Sequence, residues 1–127
     1  MKYFSCLLFV FLFISCKKEP EVKQPLYPET KTELSDLALG KKLFNGKGQC
    51  LACHKPTQKV IGPSVQEIVT IYDKNQADMI EFLKGNSEPI VDPSQYPVMK
   101  ANLEITKKMT DHELEAIVSY MRSLTTK

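Results

Sequence analysis

The run Cys50-Leu51-Ala52-Cys53-His54 constrains this chain more than any other feature. Two cysteines three apart, followed at once by histidine, form the attachment motif of a c-type haem. The spacing has a physical reason. Positions i, i+3 and i+4 fall on one face of a helical turn. Both thiols can then add to the two vinyl groups along one side of a porphyrin, while His54 turns its imidazole to the iron as proximal ligand. Other uses of the pair fit less well. A thioredoxin-like redox pair is expected near a βαβ pattern, which the chain lacks. A structural zinc site needs four ligands, and the remaining ones, His112, Cys6 and Cys16, are isolated.

A length of 127 residues favours one folded domain. A net charge of only +2 does not point to nucleic acid. The four cysteines look like a disulfide set until they are placed. Cys6 and Cys16 lie in or at the end of a leader, so only Cys50 and Cys53 remain for the folded part, and no disulfide framework follows. Residues 36–127 are expected to form the domain. A core of this size is thin and profits from a covalent staple, which a bound porphyrin supplies. The chain without haem is therefore expected to fold poorly.

Residues 1–15 read as an export signal. Met1 and Lys2 make a short basic start, and residues 3–14 are largely apolar but too few to span a bilayer. The run ends at Phe13-Ile14-Ser15-Cys16, which resembles a bacterial lipoprotein processing site, with Cys16 as the acylated residue. Phe13 departs from the usual leucine. Several acyl chains on Cys16 would anchor the protein stably, where one alone holds weakly. The simpler alternative is a secretory signal with an unmodified Cys16. Residues 16–35 contain Pro20, Pro25 and Pro28 among glutamates and lysines, with no apolar period, and read as a flexible tether. Together these features place the domain outside the cytoplasm, anchored to a membrane and facing the periplasm or displayed at the cell surface.

Within the domain, Leu39, Leu43 and Phe44 mark a helix capped by Ser35 or Asp36. Gly40 inside it costs about 1 kcal/mol against alanine, so a close backbone approach is expected there. Asn45-Gly46-Lys47-Gly48 breaks the helix ahead of the haem motif. Gly62-Pro63 follows the motif, and a carbonyl in such a stiff turn can hold the second nitrogen of a ligating histidine. Val65, Ile68, Val69 and Tyr72 suggest a short helix, and Met79, Ile80, Phe82 and Leu83 another, begun by an Asn75 cap and stopped by Gly85. Residues 85–108 contain Pro89, Pro93 and Pro97 and read as a long functional loop over the distal face of the haem. Thr110 and Glu113 form a capping box, with Met109 and Leu114 as its hydrophobic staple. The helix it opens runs through Ile117, Tyr120, Met121 and Leu124, and is expected to cross the first helix near Gly40.

The candidates for the sixth iron ligand are Met79, Met99, Met109, Met121 and His112. Met79 and Met121 lie on helical stripes and read as core. Met109 is placed as the staple, and His112 falls in an exposed first turn. Met99 has no packing period to explain it and is the choice; methionine ligation raises the potential relative to bis-histidine.

Taken together, these residues resemble the class I cytochromes c, in particular the small bacterial monohaem ones. The resemblance covers residues 34–124. It rests on Leu39 to Phe44, Cys50 to His54, Gly62-Pro63, a loop methionine and the stretch Leu114 to Met121. It implies an all-α fold of about four short helices around one covalent haem c. In that fold the Pro63 carbonyl holds His54, and Gly40 and Phe44 meet Tyr120 where the terminal helices cross. Met99 departs from the tidiest members, since no proline follows it and it stands further from the last helix. The implied function is electron transfer between redox protein partners by a membrane-tethered monomer that is not an enzyme. The alternative is a haem subunit of a larger respiratory complex. A peroxidase-like enzyme would need an open sixth site, and a thiol oxidoreductase would lack haem altogether. Lys41, Lys42, Lys47, Lys55 and Lys59, flanked by Lys100, Lys107 and Lys108, can steer an acidic partner or form an ordinary solvated face.

Overall fold

The computed structural model describes residues 28–125, with side chains from residue 35 onward. The expected export signal, Cys6, Cys16 and residues 17–27 lie outside the described residues. In chain order the elements are α1 (Pro28–Asn45), α2 (Cys50–Cys53), α3 (Val65–Asn75), α4 (Met79–Leu83), a 3-10 turn (Pro93–Gln95), α5 (Tyr96–Thr106) and α6 (Asp111–Ser123). No β-strand occurs among the described residues. The fold is all-α, as expected, with more helices than the four anticipated.

Helices α1 and α6 make the main packing contact, and they cross where expected. A Cβ on Gly40 would overlap the Ala116 carbonyl and lie 2.8 Å from Tyr120 Cβ. Only a glycine lets the two backbones approach so closely. One turn along, Phe44 meets Tyr120 edge to face, with ring centroids 5.6 Å apart. Phe44, Leu114 and Ile117 are fully buried around this crossing. The capping box of α6 is complete: Glu113 N–H donates to Thr110 Oγ1 at 3.2 Å, and Thr110 N–H donates to Glu113 Oε2 at 2.9 Å. Met109 and Leu114 are both buried, as a staple requires.

Three boundaries differ from the sequence reading. First, α1 begins at Pro28, not at Ser35 or Asp36, so residues 28–35 are helix rather than tether. Proline is pre-organised for a first helical position, and Glu29, Lys31 and Glu33 after it are good helix formers without an apolar stripe to announce them. Second, Asn75 closes α3 instead of opening α4; its Nδ2 donates to Ile71 O at 2.7 Å. The cap of α4 is Asp78, whose carboxylate accepts from Ile80 N–H at 2.7 Å. Third, residues 85–108 are not one long loop. They contain the 3-10 turn and the eleven residues of α5. The prolines mislead because two of the three, Pro93 and Pro97, stand in first turns, where a missing N–H costs nothing. Met99 is therefore a helical residue, not a loop residue.

Candidate haem-binding site

Segment 46–63 builds one wall of the site. Gly48 N–H donates to Leu43 O at 2.8 Å and closes α1. Gln49, in the left-handed region at φ 53°, turns the chain into α2. The short helix presents Cys50 and Cys53 one turn apart, and His54 follows in an extended conformation. Its N–H still donates to Cys50 O at 2.9 Å. The loop after it is pinned at both ends. Gly62 N–H donates to Cys53 O at 3.1 Å, and Val65 N–H to Lys55 O at 2.9 Å. Ser64 caps α3 by accepting from Glu67 N–H at 3.1 Å, which orients the Gly62-Pro63 turn.

That turn holds the imidazole. His54 Nδ1 lies 2.7 Å from Pro63 O. A carbonyl only accepts, so the proton sits on Nδ1 and the lone pair of Nε2 is left for a ligand. The ring lies flat against Gly62, where a Cβ would stand 2.5 Å from His54 Cε1 and 2.9 Å from Nδ1. The sequence reading placed the acceptor in this turn but missed the glycine as the ring's resting surface. The adjacent Gly and Pro were the available signal.

His54 faces a cavity of roughly 1200 Å³ of free space, its open mouth included. Cys50, Cys53, His54, Pro63 and Met99 all line it. The rest of the wall is mostly apolar, with Ile68, Phe82, Leu83, Val91 and Ile117 among its residues. Tyr72 also lines it, and burial, followed by the nearby Asp78 carboxylate, pushes its phenol up to about 12, so it stays neutral. Burial likewise pushes the Cys50 thiol up to about 11. A redox-active or metal-binding cysteine needs the opposite shift. Cys50 and Cys53 are free and not joined to each other.

These observations fit a covalently bound haem. A porphyrin needs a large apolar slot, two neighbouring thiols on one side and an imidazole with an unengaged nitrogen. The cavity supplies all of them.

The other candidates fall in different places. Met79 and Met121 line the cavity too, but are buried within the core cluster on α4 and α6. Met99 is only half-buried, packing against the margin of that cluster. Met109 is core and does not line the cavity. His112 is exposed, with Nε2 at 3.1 Å from Asp36 Oδ1. Four of the eight lysines of the candidate steering face have partners. Lys47 pairs with Glu113 at 2.7 Å, Lys59 with Asp92 at 3.1 Å and Lys107 with Glu104 at 3.2 Å, while Lys55 donates to Leu51 O. No group of three or more His, Cys, Asp or Glu side chains arranged for a metal ion occurs among the described residues.

No curated protein matches the chain. Residues 37–125, which include every described site residue, match the family described as cytochrome c. The match falls on the segment whose geometry already calls for a thioether-linked porphyrin. The chain thus belongs to the cytochrome c family, is a class I cytochrome c with one covalently bound haem c, and takes part in electron transfer.

Proposed function

We propose that the protein is a membrane-tethered electron carrier whose haem iron is ligated by His54 and Met99. One observation carries the ligation: an imidazole fixed by the Pro63 carbonyl at 2.7 Å, at the wall of an apolar cavity that Met99 also lines. Among the methionines at the cavity, Met79 and Met121 are buried within the core cluster, whereas Met99 is half-buried at its margin. Haem supplies the one-electron chemistry when bound, its iron passing between ferric and ferrous states.

The chain's residues supply the rest. Cys50 and Cys53 fix the group in place. Pro63 O fixes the tautomer and plane of His54, and so the direction of its Nε2. The apolar wall excludes water and favours the less charged redox state. Met99, a soft neutral donor, raises the potential and closes the sixth position, so no substrate has a place to bind. With Lys47, Lys59 and Lys107 each paired with a carboxylate, steering by long-range charge is weaker than the count of lysines suggests.

The tether rests on the apolar run of residues 7–14 ending at Cys16, and with α1 beginning at Pro28 it spans residues 16–27. No described helix is long and apolar enough to cross a membrane. Acylated Cys16 is the proposed anchor, on the strength of the sequence around it, and Cys16→Ala is expected to release the protein from membranes into the soluble fraction.

The deciding test of the carrier reading is spectroscopic. Met99→Ala is expected to abolish the weak thioether-to-iron absorption band near the red end, and to lower the midpoint potential. Tight carbon monoxide binding to the unmodified ferrous protein, without perturbation, would show an open sixth site and sink the reading.

A further inference from the structure

Three hydrogen bonds meet at Gly48. Its N–H is bound to Leu43 O, which ties this residue to the end of α1. Its carbonyl accepts from two donors: the Cys50 S–H at 3.4 Å and Asn102 Nδ2–H at 3.2 Å. Gly48 is buried. Asn102 is half-buried in α5 and lines the cavity. Among the described residues, this is the one hydrogen bond joining α5 to residues 48–54.

Haem attachment changes the balance at that carbonyl. Adding the thiol across a vinyl group breaks the S–H bond and one C=C π bond, and forms an S–C and a C–H bond with no net oxidation. The Cys50 sulfur then has no hydrogen to donate. Asn102 becomes the remaining donor to a buried carbonyl, and leaving such a group bare is costly. The amide is therefore needed more in the haem-loaded protein than in the bare chain.

Asn102 stands three residues beyond Met99, on the same face of α5. We propose that Asn102 is a positioning residue: by clasping the Gly48 carbonyl it sets α5 against the haem motif, and so holds Met99 at the iron. The inference rests on Met99 as the sixth ligand. Thr106 Oγ1–H also donates to Leu83 O at 2.6 Å, but this fixes α5 to α4 and not to the haem motif, and the Lys59–Asp92 pair is a surface contact that salt screens.

The test uses haem-loaded Asn102→Leu and Asn102→Asp proteins, with Met99→Ala as reference. Imidazole, which must displace the sixth ligand, is expected to bind ferric Asn102→Leu about tenfold more tightly than the unmodified protein, the scale of one lost hydrogen bond. In Asn102→Asp the thioether-to-iron band is expected to be weak at neutral pH, where a carboxylate cannot donate. It should recover in acid, where the protonated carboxyl can. A lower melting temperature with imidazole affinity and band unmoved would overturn the positioning role alone. A band that survives Met99→Ala would overturn the ligand assignment, and this inference with it.

Discussion

A methyl group at position 62 would stand 2.5 Å from Cε1 of the His54 ring, well inside contact distance. Gly62→Ala must therefore push the imidazole off its resting surface or lengthen its hydrogen bond to Pro63. We expect a loss of about 1–3 kcal/mol in the stability of the haem-loaded protein, the usual cost of overpacking, read by denaturant titration. A shift in the Soret band should accompany it. The same substitution at a solvated turn would do neither. At this scale the sequence was readable where chemistry is local. Cys50, Cys53 and His54 follow from spacing, and the Gly62-Pro63 turn from its stiffness. The contact between Gly62 and the ring was not readable, because it depends on where a loop of several residues returns. Asn102 was invisible for a similar reason: its partner Gly48 is 54 positions away.

Among the elements, the crossing of α1 and α6 sets two glycine effects against each other. In an exposed helix Gly→Ala stabilises by about 1 kcal/mol. At Gly40 the added Cβ overlaps the Ala116 carbonyl, so packing opposes propensity. We expect packing to win, with Gly40→Ala destabilising by about 1–3 kcal/mol in chemical denaturation. The start of α6 carries a pH dependence. The Lys47 ammonium, helped by the Thr110 N–H, holds the Glu113 carboxyl below the usual glutamate range. A carboxyl depressed in the folded state contributes stability above its unfolded value, about 4.3, and loses it as pH falls through the folded value. Lys47→Met should shrink that acid-side loss, and unfolding midpoints measured from neutral pH down to about pH 3 would show it. The capping box and the apolar stripe made α6 readable from end to end. Helix α5 was hidden because its one proline, Pro97, occupies the part of a helix that tolerates it. The early start of α1 was hidden because its first residues carry charge instead of an apolar period.

For the molecule as a whole, the cavity runs through what would otherwise be the centre of the core. Its walls draw on all six α-helices. Without the porphyrin the α1–α6 core remains but this cavity is left unfilled, so the protein is expected to be one cooperative folded unit only when loaded. A Cys50→Ala, Cys53→Ala double variant should lose most of its helical circular dichroism and its cooperative thermal transition. A native-like spectrum would show that the helices hold themselves together. The all-α class and the presence of a single haem were readable, because both follow from one motif and the helical periods around it. The enclosure of the cavity by α5 was not, since that helix itself was hidden. One consequence of the α1–α6 crossing concerns timing. Cys50 and Cys53 leave the ribosome some sixty residues ahead of α6, and until α6 arrives α1 lacks its partner at Gly40. The thiols thus pass through an interval in which no finished fold shields them, and haem is expected to join the chain before α6 docks on α1.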